Sequence, residues 1–317
     1  MKKIVVFNRY SAKHKKINGF SESFREIICN SLDDLGIEFK YYSEICDIKC
    51  VRDSTVLSII SPQFVSSHSN IIHKSNYNIW WNIEPISVEN DKRCPRFLSK
   101  RRKIFNDVMN NLDKYKINRV LSFDERHVGL YKNVSFLPIG FHDCLLDEHQ
   151  EYKKKVKYLL VGDFSKYRIS FFNRLRKELK KNDYKIENAS HGKYKGFEKE
   201  KKKLSYFMFG LDCPAYSYDD HIHWHRIMIY SASKMVVISS SDLSNYGFID
   251  GVHYFHYKSI NDCINLIKNL HVSDRNKIKQ IADNMLCKVR NDFYMTKLLQ
   301  NIFGGENEKD GYCYRDA

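Results

Sequence analysis

The chain has 317 residues, 43% of them hydrophobic and 14% aromatic, which excludes disorder and gives enough apolar mass for two domains of ordinary size. Its net charge of +15 directs attention to anionic partners, but no arginine-rich tail, zinc finger or RNA motif accompanies it, so nucleic acid is disfavoured. No apolar run approaches the roughly 20 residues that span a bilayer, and nine Cys form an odd set without disulfide spacing or a signal peptide, so a reducing cytoplasm is expected.

In chain order, Ile4–Phe7 is a short continuous apolar run, the mark of a strand buried on both faces. A basic loop follows, containing His14 and then Asn18-Gly19. A helix over Ser23–Leu35 is expected, with Ser23 and Glu26 as its capping box. Ile37–Tyr42 and Val56–Ile60 read as strands, the latter stopped by Ser61-Pro62. Ile79–Ile83 is a fourth strand, ending at Glu84-Pro85. A basic helix Arg96–Asn111 leads to strands Arg119–Phe123 and Val134–Leu137. This alternation predicts a parallel, doubly wound sheet. Residues 143–155 are polar and without period, and read as a linker between domains 1–145 and 155–317.

The second half repeats the grammar. Lys157–Val161 is a strand, Gly162–Ser165 a turn and Arg168–Leu179 an amphipathic helix. Tyr184–Glu187 is a further strand, and the charged helix Glu198–Leu204 runs into Tyr206–Phe209. Next come a helix opening at Arg226, the strand Met235–Ser239, and a loop carrying Tyr246-Gly247 and Asp250-Gly251. Strand Tyr254–Tyr257 and a helix from Ser259 follow, then helices Asp274–Val289 and Phe293–Phe303, the last expected to pack back on the first domain. An Arg near a helix start, with a Gly-punctuated loop at the carboxyl end of a buried strand, suits a phosphorylated ligand.

Several of these residues carry a family resemblance. Tyr158-Leu-Leu-Val-Gly162-Asp-Phe-Ser-Lys166-Tyr-Arg168 looks like the opening strand and loop of the donor domain in bacterial GT-B glycosyltransferases. His225-Arg226 through Ser239 resembles the helix and strand that follow there, and Gly247 through Ser259 the next loop and strand. Trp80-Trp-Asn-Ile-Glu84-Pro85 together with Leu137-Pro-Ile-Gly140 is similar to the CgeB-like branch. The resemblance implies two Rossmann-like doubly wound domains facing across a cleft. It also implies transfer of a sugar from a nucleotide-sugar donor, used as substrate with no cofactor, to a glycan or lipid-linked acceptor of bacterial surface polysaccharide synthesis. The chain departs from the pattern at Ile229, where the family has a ribose-gripping Glu. It departs also at Lys234 and Val236, in place of Gly and Pro, and at His221, where retaining members carry a second Glu.

The transfer needs the leaving diphosphate stabilised, an acceptor hydroxyl deprotonated and water excluded. On this resemblance the donor contacts are Gly162, Lys166, Arg168, His225, Arg226, Tyr246, Gly247 and Gly251. Arg226→Ala is expected to abolish nucleotide binding and leave the fold intact. Glu84 and Asp124, each following an apolar strand, are the candidate bases, with His14 a weaker third. Asn18 and Gly19 would line the acceptor side. His221-x-His223-x-His225 would put three imidazoles on one face only if it were a strand, so no metal is expected. Trp80-Trp81 reads as core before sugar platform. The basic cluster Lys100–Lys103 would meet anionic lipid on the inner face of the cell membrane or a charged acceptor. The rival reading is a non-catalytic or nucleic-acid-binding protein on a Rossmann-like scaffold, which Ile229 and the charge both favour.

Overall fold

In the computed structural model, Ile4–Asn8 forms β1, and all five residues are buried. An apolar run with no alternation has no face to give to solvent, so it takes the middle of a covered sheet. The residues described are 3–8, 19–43, 45–84, 86, 96–131, 133–147, 155–161, 165–179, 185–189, 197–214 and 221–303. β1 is joined by β2 (Phe39–Tyr42), β3 (Thr55–Ile59), β4 (Tyr77–Asn82), β5 (Arg119–Ser122) and β6 (Val134–Phe136). The six lie parallel in the order β2-β1-β3-β4-β5-β6. The helices of this half are α1 (Gly19–Asp34), α2 (Pro62–Ser69) and α3 (Arg96–Asn110).

Two local predictions are corrected. Ser61-Pro62 does not merely stop β3 but opens α2. Ser61 is extended at φ −64°, ψ 146°, and Pro62 takes the first helical position, where its missing N–H costs nothing. Ser23 is not a helix cap, because α1 begins at Gly19 and leaves Ser23 a turn inside, with its hydroxyl on a distant partner.

The core of this half gathers Phe7, Trp80, Phe105, Val108 and Val120. Trp80 and Trp81 are both buried, and each indole N–H has a backbone acceptor, Ile60 O at 2.9 Å and Leu137 O at 3.1 Å.

The second sheet comprises β7 (Lys155–Val161), β8 (Lys185–Ala189), β9 (Phe207–Asp212), β10 (Val236–Ser239) and β11 (Tyr254–His256). It too is parallel, in the order β11-β10-β9-β7-β8. Its helices are α4 (Lys166–Leu179), α5 (Phe197–Leu204), α6 (Trp224–Ala232), α7 (Ile260–His271), α8 (Arg275–Asp292) and α9 (Met295–Phe303). Tyr158 and Phe209 stack at 4.5 Å on neighbouring strands inside a core with Leu175, Val236 and Ile238. Ser259 caps α7 and Asp274 caps α8 with their side-chain oxygens.

By contacts, β1 and Ile28–Pro138 belong to one unit, and Ile139–Asn301 to the other. The second unit also takes the start of α1, up to Ile27. Gly140 belongs to its fabric. A methyl group there would come 2.6 Å from Phe293 O and 3.1 Å from Met295 Cα, while Phe141 N and O bond Phe293 O and Met295 N at 2.7 Å. Through Asn301, α9 is therefore part of the second unit. Lys234 occupies a left-handed conformation, φ 49°, just after α6. Glycine favours that conformation and a lysine adopts it only at a cost of about 1 kcal/mol.

Candidate functional site

In both sheets the chain turns back at one strand, first to one side and then to the other. In the second sheet this switch falls between β7 and β9. The carboxyl ends of the strands at such a switch point are where open α/β sheets bind their ligands. A charged network is built at that point, entirely within the second unit.

Its centre is Asp212, the last residue of β9, with no exposed surface. Arg226 Nη1 donates to Asp212 Oδ1 at 2.8 Å and to Cys213 O at 3.0 Å. Ser239, ending β10, donates from Oγ to Asp212 Oδ2 at 2.9 Å. His223 Nδ1 stands 3.0 Å from Asp212 Oδ1. From α4, Arg168 Nε donates to Cys213 O at 3.1 Å, and its Nη2 lies 3.4 Å from His223 Nε2. Tyr257 closes the far side, its hydroxyl donating to Asp212 O at 2.9 Å.

The chemistry of these partners fixes the protonation states. Burial alone would raise the Asp212 carboxyl, but His223 and Arg226 outweigh it and hold the group below the ordinary carboxylate range. Burial and then the Arg226 charge push His223 down to about 4. At neutral pH its ring is therefore uncharged. A carboxylate only accepts and a guanidinium only donates, so the proton sits on Nδ1 and the lone pair of Nε2 faces Arg168. Among the described residues, two guanidinium groups meet one carboxylate at the start of α6, a positive surplus there. The positive end of the α6 dipole adds to it. Cys213, whose thiol burial pushes up to about 12, contributes its carbonyl and no nucleophile.

Of the expected donor contacts, the structure brings Arg168 and Arg226 together. Lys166 is the exposed first residue of α4. Gly162 and Asn18 lie outside the described residues, as does His14, while Gly19 starts α1. His225 turns away from Arg168 and Arg226, its Nε2 hydrogen-bonded to Ser23 Oγ at 2.8 Å. Tyr246 packs edge-on against Trp224, and Gly247 and Gly251 hold their loop at φ 73° and 76°. Arg226 is a buried ion-pair partner, which corrects the expectation that its removal would leave the fold intact.

The His triad does not share a face: His223 precedes α6 and turns to Asp212, while His225 lies in the first turn and turns to α1. Among the described residues no group of three or more metal-ligating side chains is assembled.

In the first unit, Glu84 is ion-paired with Arg101, its side chain 12% exposed. Asp124 accepts from Arg126 N at 3.1 Å, Nε at 2.9 Å and Nη2 at 2.7 Å, and it caps the short turn after β5.

Sequence reasoning missed Asp212, and it weighed His223 only as a metal ligand. Asp212 had one readable signal, an acid at the carboxyl end of an apolar strand, but the strand was expected to end at Phe209. Ile229 lies buried on the face of α6 toward Leu145 and Glu200. A Glu at that position would set two carboxyls side by side.

No protein-family model matches the sequence, and no curated protein is similar to it. Solved structures are similar in shape across nearly the whole chain. HepE of Anabaena, in complex with UDP and glucose, superposes at a TM-score of 0.60 with 10% identity, covering 95% of this chain and 98% of that one. BGT of phage T4, with UDP and Mn2+, gives 0.55 at 13%, covering 95% and 98%. An alpha1,3-fucosyltransferase with GDP gives 0.53 at 10%, covering 96% and 91%. The fold is GT-B. At such identities GT-B describes the path of the backbone, two parallel-sheet α/β domains, and leaves the chemistry to the residues.

Proposed function

We propose that this chain is a glycosyltransferase that takes a sugar from a nucleotide-sugar donor. One observation carries the reading: the buried guanidinium groups of Arg168 and Arg226, which outnumber the carboxylates among the described residues at the switch point of a GT-B domain's sheet. The leaving diphosphate of such a donor carries at least two negative charges. A preorganised positive site in a dry crevice stabilises charge at the moment it develops, without reorganisation. Arg168 and Arg226 supply that field, Asp212 holds Arg226 in place, and the first turn of α6 adds its dipole. That HepE and BGT were solved with UDP and the fucosyltransferase with GDP supports the donor class.

For the base we propose Glu84. It follows the carboxyl end of β4, whereas both oxygens of Asp124 are already occupied by Arg126. The acceptor is a glycan or lipid-linked precursor of a surface polysaccharide, met at the inner face of the membrane, with no metal taking part. The structure has no helix among the described residues long and apolar enough to cross a membrane.

A thermal-shift screen against UDP, GDP, CMP and their sugars tests the reading. One nucleotide diphosphate at a hundredfold its Kd should stabilise the protein by about 2.7 kcal/mol. If none moves the melting point at millimolar concentration, the transferase reading falls. Glu84→Gln should keep that nucleotide shift and lower turnover by about 10²–10⁴-fold, as loss of a general base does. Unchanged turnover removes Glu84 from the reaction.

A further inference from the structure

The second unit contains a group of titratable side chains that the transfer chemistry does not use. They lie where the first turns of α1 meet α5 and α6. Glu22 Oε2 accepts from the Phe197 N–H at 2.6 Å, at the first residue of α5. One residue on, Ser23 Oγ bonds His225 Nε2, in the first turn of α6. Beside both lies a small cavity walled by Ser23, Leu145, Phe197, Leu204 and Ile229, and the Glu200 carboxyl borders it. Glu200 Oε2 is buried there with no hydrogen-bond partner.

The neighbouring cation does not answer Glu200. Lys201 Nζ is held by Glu198 Oε1 at 2.8 Å and by Cys144 O and Leu146 O at 3.1 and 3.4 Å. Among the described residues, the charged or titratable groups around the cavity are Glu22 from α1, Lys201 and Glu198 from α5, and His225 from α6. The remaining walls are uncharged. An ionised carboxyl in that setting would stand beside Glu22 with its buried Oε2 lacking a donor, which a neutral carboxyl avoids.

We propose that these residues form a proton-linked clasp: a proton on Glu200 holds the first turns of α1 on α5 and α6, and its loss loosens them. Burial first, and the Glu22 charge second, push the Glu200 carboxyl up to about 7. The sign follows directly. The docked form keeps a proton that an undocked Glu releases near its ordinary value. Docking is therefore strongest in acid, weakens as pH rises from there to about 7, and is level above. The clasp ends on His225, next to Arg226, so it acts on the helix that carries the cationic cluster. It does not depend on the transferase reading.

Hydrogen exchange of the intact chain, read as protection factors for residues 19–27, tests this. Within the window, protection should fall by up to roughly tenfold per pH unit, while amides of β10 report global stability unchanged. The isosteric Glu200→Gln should remove the slope and keep high protection at pH 8. Glu22→Gln should move the window to lower pH. A wild-type protection that ignores pH, or a slope that survives in Glu200→Gln, overturns the clasp.

Discussion

Replacing Arg226 by Ala should cost the folded state about 3–5 kcal/mol, the loss expected when one member of a buried ion pair is removed. Asp212 has no exposed surface, and Arg226 Nη1 is bonded to it at 2.8 Å. Without the guanidinium, Asp212 keeps Ser239 and the neutral His223, and its charge has no counterion. Cys213 O keeps only Arg168. Denaturant unfolding at pH 7 measures the loss. The double variant Arg226→Met with Asp212→Asn should recover a good part of it, because the orphaned charge is gone. A single-variant loss below about 1 kcal/mol, or strictly additive effects, would show that the pair is not made. A nucleotide-binding defect in Arg226→Ala must accordingly be judged beside its stability, since the two roles share one side chain.

The second large effect concerns Trp81. A sugar platform would present its ring to solvent, and its loss would weaken binding while sparing the fold. Trp81 instead has no exposed surface, and its indole N–H is spent on Leu137 O at 3.1 Å. Trp81→Ala should thus destabilise by about 3–5 kcal/mol, the range for emptying a buried tryptophan site, with the orphaned carbonyl adding to the cost. Trp81→Phe should restore much of the packing and none of the hydrogen bond. Equal stability of Trp81→Ala and wild type in a denaturant titration would put the ring back on the surface.

Much of the architecture was legible because its signals are local. Runs such as Ile4–Phe7 and Lys157–Val161 have no polar alternation, so only a doubly covered sheet accommodates them. Ser259 and Asp274 announced helices that they do cap. Errors came where one residue has two local uses. Pro62 both ends a strand and begins a helix, and only the second use makes α2. Ser23 with Glu26 satisfies the spacing of a capping box, but a buried imidazole 202 positions away took the hydroxyl. The site follows the same division. Arg226 and Arg168, which the structure brings together at Cys213 O, were singled out from their place at helix starts. Asp212, which fixes the first of them, was not, because no local pattern ties the end of β9 to the first turn of α6. Its meaning exists only once Asp212, Ser239 and Arg226 have been brought together by the sheet.

The share of α1 that belongs to the second unit constrains how the molecule can be taken apart. A fragment beginning at Ile139 would contain every strand of the second sheet and still lack its own wall. His225 would have lost Ser23, the Phe197 amide would have lost Glu22, and the apolar sides of Leu204 and Ile229 would meet water. The start of α1, although it follows β1 directly in the chain, is thus a structural component of the unit formed by the carboxyl-terminal half. During synthesis the helix that supplies this wall is made long before the rest of the domain it completes. That domain therefore draws part of its wall from chain made before any of its own strands.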